Sequence, residues 1–139
     1  MKLRKKERCG ELLNTRQLFH NLSVTLESKE TRELIENEIK LVLDFTNESL
    51  YNLAEKMKHP DFRKKINQSE LLRLLIGMYI GKTIFKNRLT EQKKWIIDPN
   101  NLSKVALSFY ENRKRTVVYP FQIVENLFET EGKNNNLLF

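Results

Sequence analysis

Between Glu70 and Gly81 the chain reads ELLRLLIGMYIG, and the helix predicted over this stretch is apolar on nearly every side. A soluble helix that is hydrophobic all round has to be covered on more than one face. Leu71, Leu72, Leu74, Leu75, Ile76, Met78, Tyr79 and Ile80 thus demand partners. In a chain of 139 residues a second copy is a natural source of that cover, so a homodimer is expected. The run from Leu71 to Gly81 carries Arg73 and is about half the length a membrane span needs. The first twenty residues are basic but lack the apolar stretch of a secretion signal. A cytoplasmic protein without membrane contact is the expectation.

Apolar residues make up 40% of the chain and charged residues 31%, enough to build a core and to exclude wholesale disorder. Four glycines and three prolines are too few for a turn-dense β-sandwich, so the composition favours helix. Cys9 stands alone and His20 and His59 are far apart, which excludes a disulfide framework and leaves no familiar zinc spacing. Neither a metal nor any other cofactor is expected. No nucleophile or paired-carboxylate constellation appears, so no catalytic residue is assigned and an enzyme is not expected. Gly77, Gly81, Lys82 and Thr83 come within one residue of a phosphate-binding loop, but Ile76 stands where its first glycine should be. Those glycines fit better where helices approach closely, or at a helix end at Gly81.

The charge is clustered. Residues 1–20 carry a net +4, 21–60 a net −3, 61–97 a net +6 and 98–139 none, within an overall +7 and a pI near 9.5. Clustered Lys and Arg are the footprint of a phosphate-binding surface, because each phosphate contact releases counterions. Lys2, Arg4, Lys5, Lys6 and Arg8 read as a basic arm over 1–20. A core over 21–97, a helix and strand over 98–128 and a tail over 129–139 with an apolar end, Leu137 to Phe139, complete the expected organisation.

Alternation predicts a strand over NLSVTLE, residues 21–27, and another over KLVLDF, residues 40–45, where the spacing of Ile35, Ile39, Val42 and Leu43 also allows one continuous helix from Leu34 to Met57. Between them Ser28 is placed to cap a helix over about 29–40, with Glu30 and Glu33 suited to its positive end. Thr46 or Asn47 caps the next, carrying Leu50, Leu53, Ala54 and Met57 and stopping by His59 before Pro60. A basic loop with Arg63, Lys64 and Lys65 follows. Asn67, Gln68, Ser69 and Glu70 then form a capping-box variant with Asn67 as the cap. Residues 82–97 read as a basic amphipathic helix anchored by Trp95. After the break at Asp98 to Asn101, Leu102, Val105, Ala106 and Phe109 mark a helix ending near Arg113 to Arg115, where Tyr110, Arg113, Lys114 and Arg115 are placed to meet phosphate or solvent. Residues 116–128, around Pro120, read as an edge strand or arm.

Residues 40–80 resemble the ribbon-helix-helix DNA-binding family, on the strand KLVLDF, the helix containing LYNLAEKM and the capped helix of NQSELLRLLIGMYI. The resemblance implies a mainly α, obligate dimer whose paired strands enter the major groove of double-stranded DNA while a helix N-terminus holds a phosphate. It would turn Lys40, Val42 and Asp44 to the bases and Leu41, Leu43 and Phe45 to the dimer core. Asn67, Gln68 and Ser69, with Lys64 and Lys65 beside them, would clamp phosphate. An Asp on the groove face and the long connection from Lys58 to Ile66 depart from the family, and Asn21, Ser23 and Thr25 form an alternative ribbon. The function implied is a sequence-specific transcriptional regulator, or a plasmid or phage partition adaptor, with a C-terminal extension able to meet a protein partner. The alternatives are an adaptor that contacts RNA or an acidic protein, and a winged helix with 116–128 as its wing.

Overall fold

The computed structural model describes residues 14–129; the basic arm at Lys2 to Arg8, Cys9 and the apolar end at Leu137 to Phe139 lie outside them. The elements run α1 (Thr15–Glu27), α2 (Lys29–Ile39), α3 (Asn47–Lys56), α4 (Pro60–Asn67), α5 (Glu70–Asn87), β1 (Lys93–Ile96), a 3-10 turn (Leu102–Lys104), β2 (Ala106–Glu111), β3 (Lys114–Val118) and α6 (Pro120–Glu129). The fold is mainly helical, with one antiparallel sheet in the order β1-β2-β3.

Local chemistry sets most of the boundaries. Asn14, Ser28, Thr46 and Ser69 each accept a hydrogen bond from an amide in the first turn of α1, α2, α3 and α5. Pro60 is the first residue of α4, where its missing N–H is no loss. No glycine closes α5; the Lys93 ammonium donates instead to the carbonyls of Phe85 and Arg88, at 2.8 and 3.0 Å.

The apolar helix α5 is the axis of the molecule. Ile76, Met78, Tyr79 and Ile80 are almost wholly buried, and α1, α3, α4 and α6 all pack against it. Most of its cover thus comes from its own chain, Leu71 at 60% exposure being the exception, and the main premise for expecting a second copy falls away. Gly77 and Gly81 are positions of close approach, as one of the two expectations for them had it. A Cβ on Gly77 would lie 2.7 Å from a ring carbon of Phe121 on α6, and one on Gly81 would run into Trp95 on β1. The helix does not end at Gly81 but continues to Asn87.

Two polar clusters tie the outer elements to α5. The Tyr79 hydroxyl accepts the Phe45 N–H at 2.9 Å and shares a 2.5 Å hydrogen bond with Ser49, which holds the connector and α3 in place. Burial pushes the Tyr79 hydroxyl's pKa above its usual value. On the other side, the Lys82 ammonium lies 2.5 Å from the Glu27 carboxylate and donates to Ser23 at 2.9 Å, with Lys86 3.5 Å from Glu27. The hydrogen bond from Lys82 holds the Glu27 carboxyl below its usual range. This contribution to stability is present above the unfolded-state pKa and is lost as the pH falls through the lower folded-state pKa. Because Glu27 is half exposed, Glu27→Gln should destabilise by less than about 1 kcal/mol at pH 7. In urea titrations the gap between variant and parent should close as the pH falls below the ordinary carboxylate range; a gap that persists once the group is protonated would mean that the ion pair contributes nothing.

Several expected elements change. Residues 21–27 belong to α1, not to a strand: Leu22 and Leu26 are buried one turn apart, beside half-buried Leu18 and Phe19, while Val24 is exposed. The alternative ribbon of Asn21, Ser23 and Thr25 is therefore helical. Residues 40–45 form no strand. Lys40 and Phe45 take the left-handed conformation, and the amides a ladder would use are taken by side chains: Leu43 donates to the Glu36 carboxylate at 2.7 Å and Phe45 to Tyr79. The basic loop is α4, and Ser69 rather than Asn67 is the cap. The helix expected over 82–97 ends at Asn87, and the one expected from Leu102 to about Arg113–Arg115 shrinks to a 3-10 turn; β1 and β2 take their place. Trp95 is thus a strand residue packed edge-on against Phe19 at 4.8 Å and stacked with Phe85 at 6.1 Å. Residues 116–128 divide between β3 and α6. The boundary expected at residue 20 falls inside α1, and the one at 97 falls between two strands of the sheet.

Candidate nucleic-acid interface

One face of the sheet packs towards the helices; the other is open along β1 and β3, while Ala106 and Ser108 of the central strand stay buried. Lys93, Phe109 and Thr116 are in register, as are Trp95, Leu107 and Val118, and these two rows face the helices. The alternate rows, Lys94 with Ser108 and Val117, Ile96 with Ala106 and Tyr110 with Arg115, face away. Ile96, Tyr110 and Val117 are each at least 40% exposed there, more than isolated surface apolars require.

β2 and β3 are joined by a two-residue turn in which Asn112 and Arg113 both have positive φ, 53° and 65°. This is the type I′ geometry that matches strand twist, and it puts Arg113 at the tip with Lys114 and Arg115 following on opposite faces of β3. The Arg115 guanidinium donates to Ser108 across the strand pair at 2.5 Å, which fixes its base on the open face. Glu91, Gln92, Lys93, Lys94, Ser108, Tyr110 and Arg115 enclose a shallow hollow of about 270 Å³ there. The acidic groups near the tip are Glu91 and Glu111, and Glu111 faces Lys114 and approaches Arg88 at 3.9 Å.

This arrangement places exposed cations, one aromatic ring and a narrow two-stranded ribbon on one surface. Cations spaced along a ribbon suit a polyanion. A two-stranded ribbon has dimensions the DNA major groove admits.

The residues expected to bind DNA are scattered by comparison. Lys40, Val42 and Lys65 come together in a broad groove with Lys56 and His59, but Glu55 and Asp61 line it too. Asp44 points elsewhere, its carboxylate accepting from the Thr46 hydroxyl at 2.6 Å. Lys64 is exposed on α4. Asn67 ends α4 and accepts from Arg73 at 2.9 Å, Gln68 follows it, and Ser69 caps α5. Asn21 accepts from Gln17, Ser23 from Lys82, and the Thr25 hydroxyl bonds to the Asn21 carbonyl. Lys94 carried no signal in the sequence beyond its charge, whereas Tyr110, Arg113, Lys114 and Arg115 were visible but assigned to a helix end.

No group of His, Cys, Asp and Glu side chains that could hold a metal ion occurs among the described residues, and none of their helices is long and apolar enough to cross a membrane. No family model, curated protein or solved structure matches the chain.

Proposed function

We propose that the chain binds double-stranded DNA in a sequence-dependent way, as a small regulator or partition adaptor, and that the β2–β3 hairpin is the element that enters the groove. The observation that carries this is that Lys94, Tyr110 and Arg115 share the open face of the sheet, with Arg113 and Lys114 beside them at the hairpin tip. In this role Arg113 and Lys114 meet phosphate, and Arg115, held by Ser108, is the side chain positioned for a base edge. The reading keeps the ligand class that the charge suggested and moves the recognition element from residues 40–45 to residues 106–118. It requires no second copy, because α5 is mostly covered within one chain.

Replacing Arg113, Lys114 and Arg115 together with Ala should weaken DNA binding on the order of a hundredfold at about 0.15 M salt, and should reduce the salt slope by about two, one for each lost phosphate contact. Lys40→Ala, or Lys64→Ala with Lys65→Ala, should change the slope by less than one unit. Fluorescence anisotropy on a duplex selected from a random pool, across a salt series, measures both. An unchanged slope in the triple variant would remove the hairpin from the interface, and a loss on Lys40→Ala alone would return it to the connector.

A further inference from the structure

β3 is one of the two edges of the sheet, with no strand on its outer side among the described residues. In a hairpin closed by the Glu111–Lys114 pair, ladder hydrogen bonds fall at Lys114, Thr116 and Val118. The backbone N–H and C=O of Arg115 and Val117 therefore point outward, to the place a fourth strand would occupy. Such an edge is a template for another chain.

Beneath that place is a cleft of about 520 Å³ between the inner face of the sheet, the start of α3, the end of α5 and one side of α6. Its wall is apolar where Leu50, Ile84, Phe109, Val118 and Ile123 meet, and its rim is amide-rich, with Asn47, Asn87 and Gln122. A strand added beside β3 would send every second side chain into this cleft and the others to the open face beside Arg115 and Val117. Arg88 is the one charged residue lining the cleft, held over Phe109 at 4.5 Å, and Lys114 and Arg115 ride on the edge strand. No acidic side chain lines it.

From this we infer that the β3 edge is a docking site for an extended acidic peptide of a partner protein. The peptide joins the sheet as a fourth strand, apolar side chains alternate into the cleft, and carboxylates alternate outward to Arg115. Backbone pairing supplies affinity and the cleft supplies selectivity, the division of labour of strand addition. The site shares Arg115 with the face that the DNA reading uses, but its edge backbone and cleft are its own, and it stands whether or not that reading does.

Val117→Pro tests it, because it removes an outward N–H without breaking a ladder hydrogen bond. Gln122→Glu is a second variant that sets a negative charge in the cleft without touching the strand. The probe is a fluorescent, end-blocked octapeptide alternating Glu with Val and Ile, compared with its Lys counterpart, in anisotropy titrations on the full chain. The Glu peptide should bind and the Lys peptide should not. Each variant should weaken binding about tenfold or more, as expected for one lost hydrogen bond or one repelled charge. Amide shifts in NMR should centre on Arg115 and Val117. Absence of Glu-peptide binding at millimolar concentration, equal binding by Val117→Pro, or shifts centred elsewhere would each overturn the proposal. So would a concentration-dependent dimer in the parent that Val117→Pro dissolves, since a second copy would then own the edge.

Discussion

Gly81→Val is expected to destabilise the protein by about 3 kcal/mol, the upper part of the range for overpacking a well-filled core, and to lower Tm on the order of 10 °C. A Cβ at this position meets the far end of the Trp95 indole and lies 3.0 Å from Pro120. Neither neighbour can give easily. Trp95 is wedged between Phe19 and Phe85, and Pro120 is the rigid first residue of α6. Gly81→Ala separates two opposing effects. Helix propensity alone would raise stability by about 1 kcal/mol, so a net loss on alanine is the signature of steric conflict. Thermal and urea denaturation of both variants measure this. A stabilised Gly81→Ala would mean that the sheet sits farther from α5 than the structure places it.

The helices α2, α3 and most of α5 were legible, because their starts are written in short-range chemistry, whereas α1, α4 and α6 were not. Ser28 before a run carrying Glu30, and Thr46 before one carrying Glu48, are caps that act within four residues. The errors arose where a short window fits two periods. Leu22, Val24 and Leu26 alternate, but Leu22 and Leu26 also stand one helical turn apart; only Leu18, Phe19 and the Asn14 cap, upstream of the window, settle the matter. Leu102, Val105, Ala106 and Phe109 have helical spacing, yet Val105 to Phe109 are all buried as the approach and body of a central strand, where apolar residues need not alternate. In KLVLDF the inward and outward sides were assigned correctly: Leu43 is buried, Leu41 and Phe45 are half-buried, and Lys40, Val42 and Asp44 are exposed. Alternation fixed the faces without fixing the backbone, which two side chains from elsewhere in the chain, Glu36 and Tyr79, bend into a connector.

The candidate interface was less legible for the same reason. Its cations are visible as residues, but their convergence depends on Asn112 and Arg113 adopting positive φ, and the usual Asn-Gly or Asp-Gly signal for that turn is absent. Asn-Arg is a weak form of it. A separate pairing, β1 with β2, brings Lys94 opposite Ser108 from fourteen residues away in sequence, a non-local contact that no local pattern announces.

Leu75 bears on how many copies the core needs. If α5 were buried against a second copy, Leu75→Ala would destabilise a dimer, and the stability of both parent and variant would fall by about 2.7 kcal/mol on hundredfold dilution. With Leu75 buried among the helices of its own chain, at 6% exposure, Leu75→Ala should lower the unfolding free energy by about 2–5 kcal/mol. That loss should be the same at micromolar and near-millimolar protein, since no association step enters the equilibrium. Leu75→Glu is the harsher form: a carboxylate with no cation beside it in an apolar core either leaves the chain unfolded or has its pKa raised. It should then recover part of its structure when the pH is lowered and the group is neutralised. Urea titrations at the two concentrations, followed by far-UV circular dichroism of Leu75→Glu between pH 7 and pH 4, distinguish the cases. A midpoint that moves with concentration in the parent would place a subunit interface on α5 after all, and with it the need for a second copy that the packing of α1, α3, α4 and α6 otherwise removes.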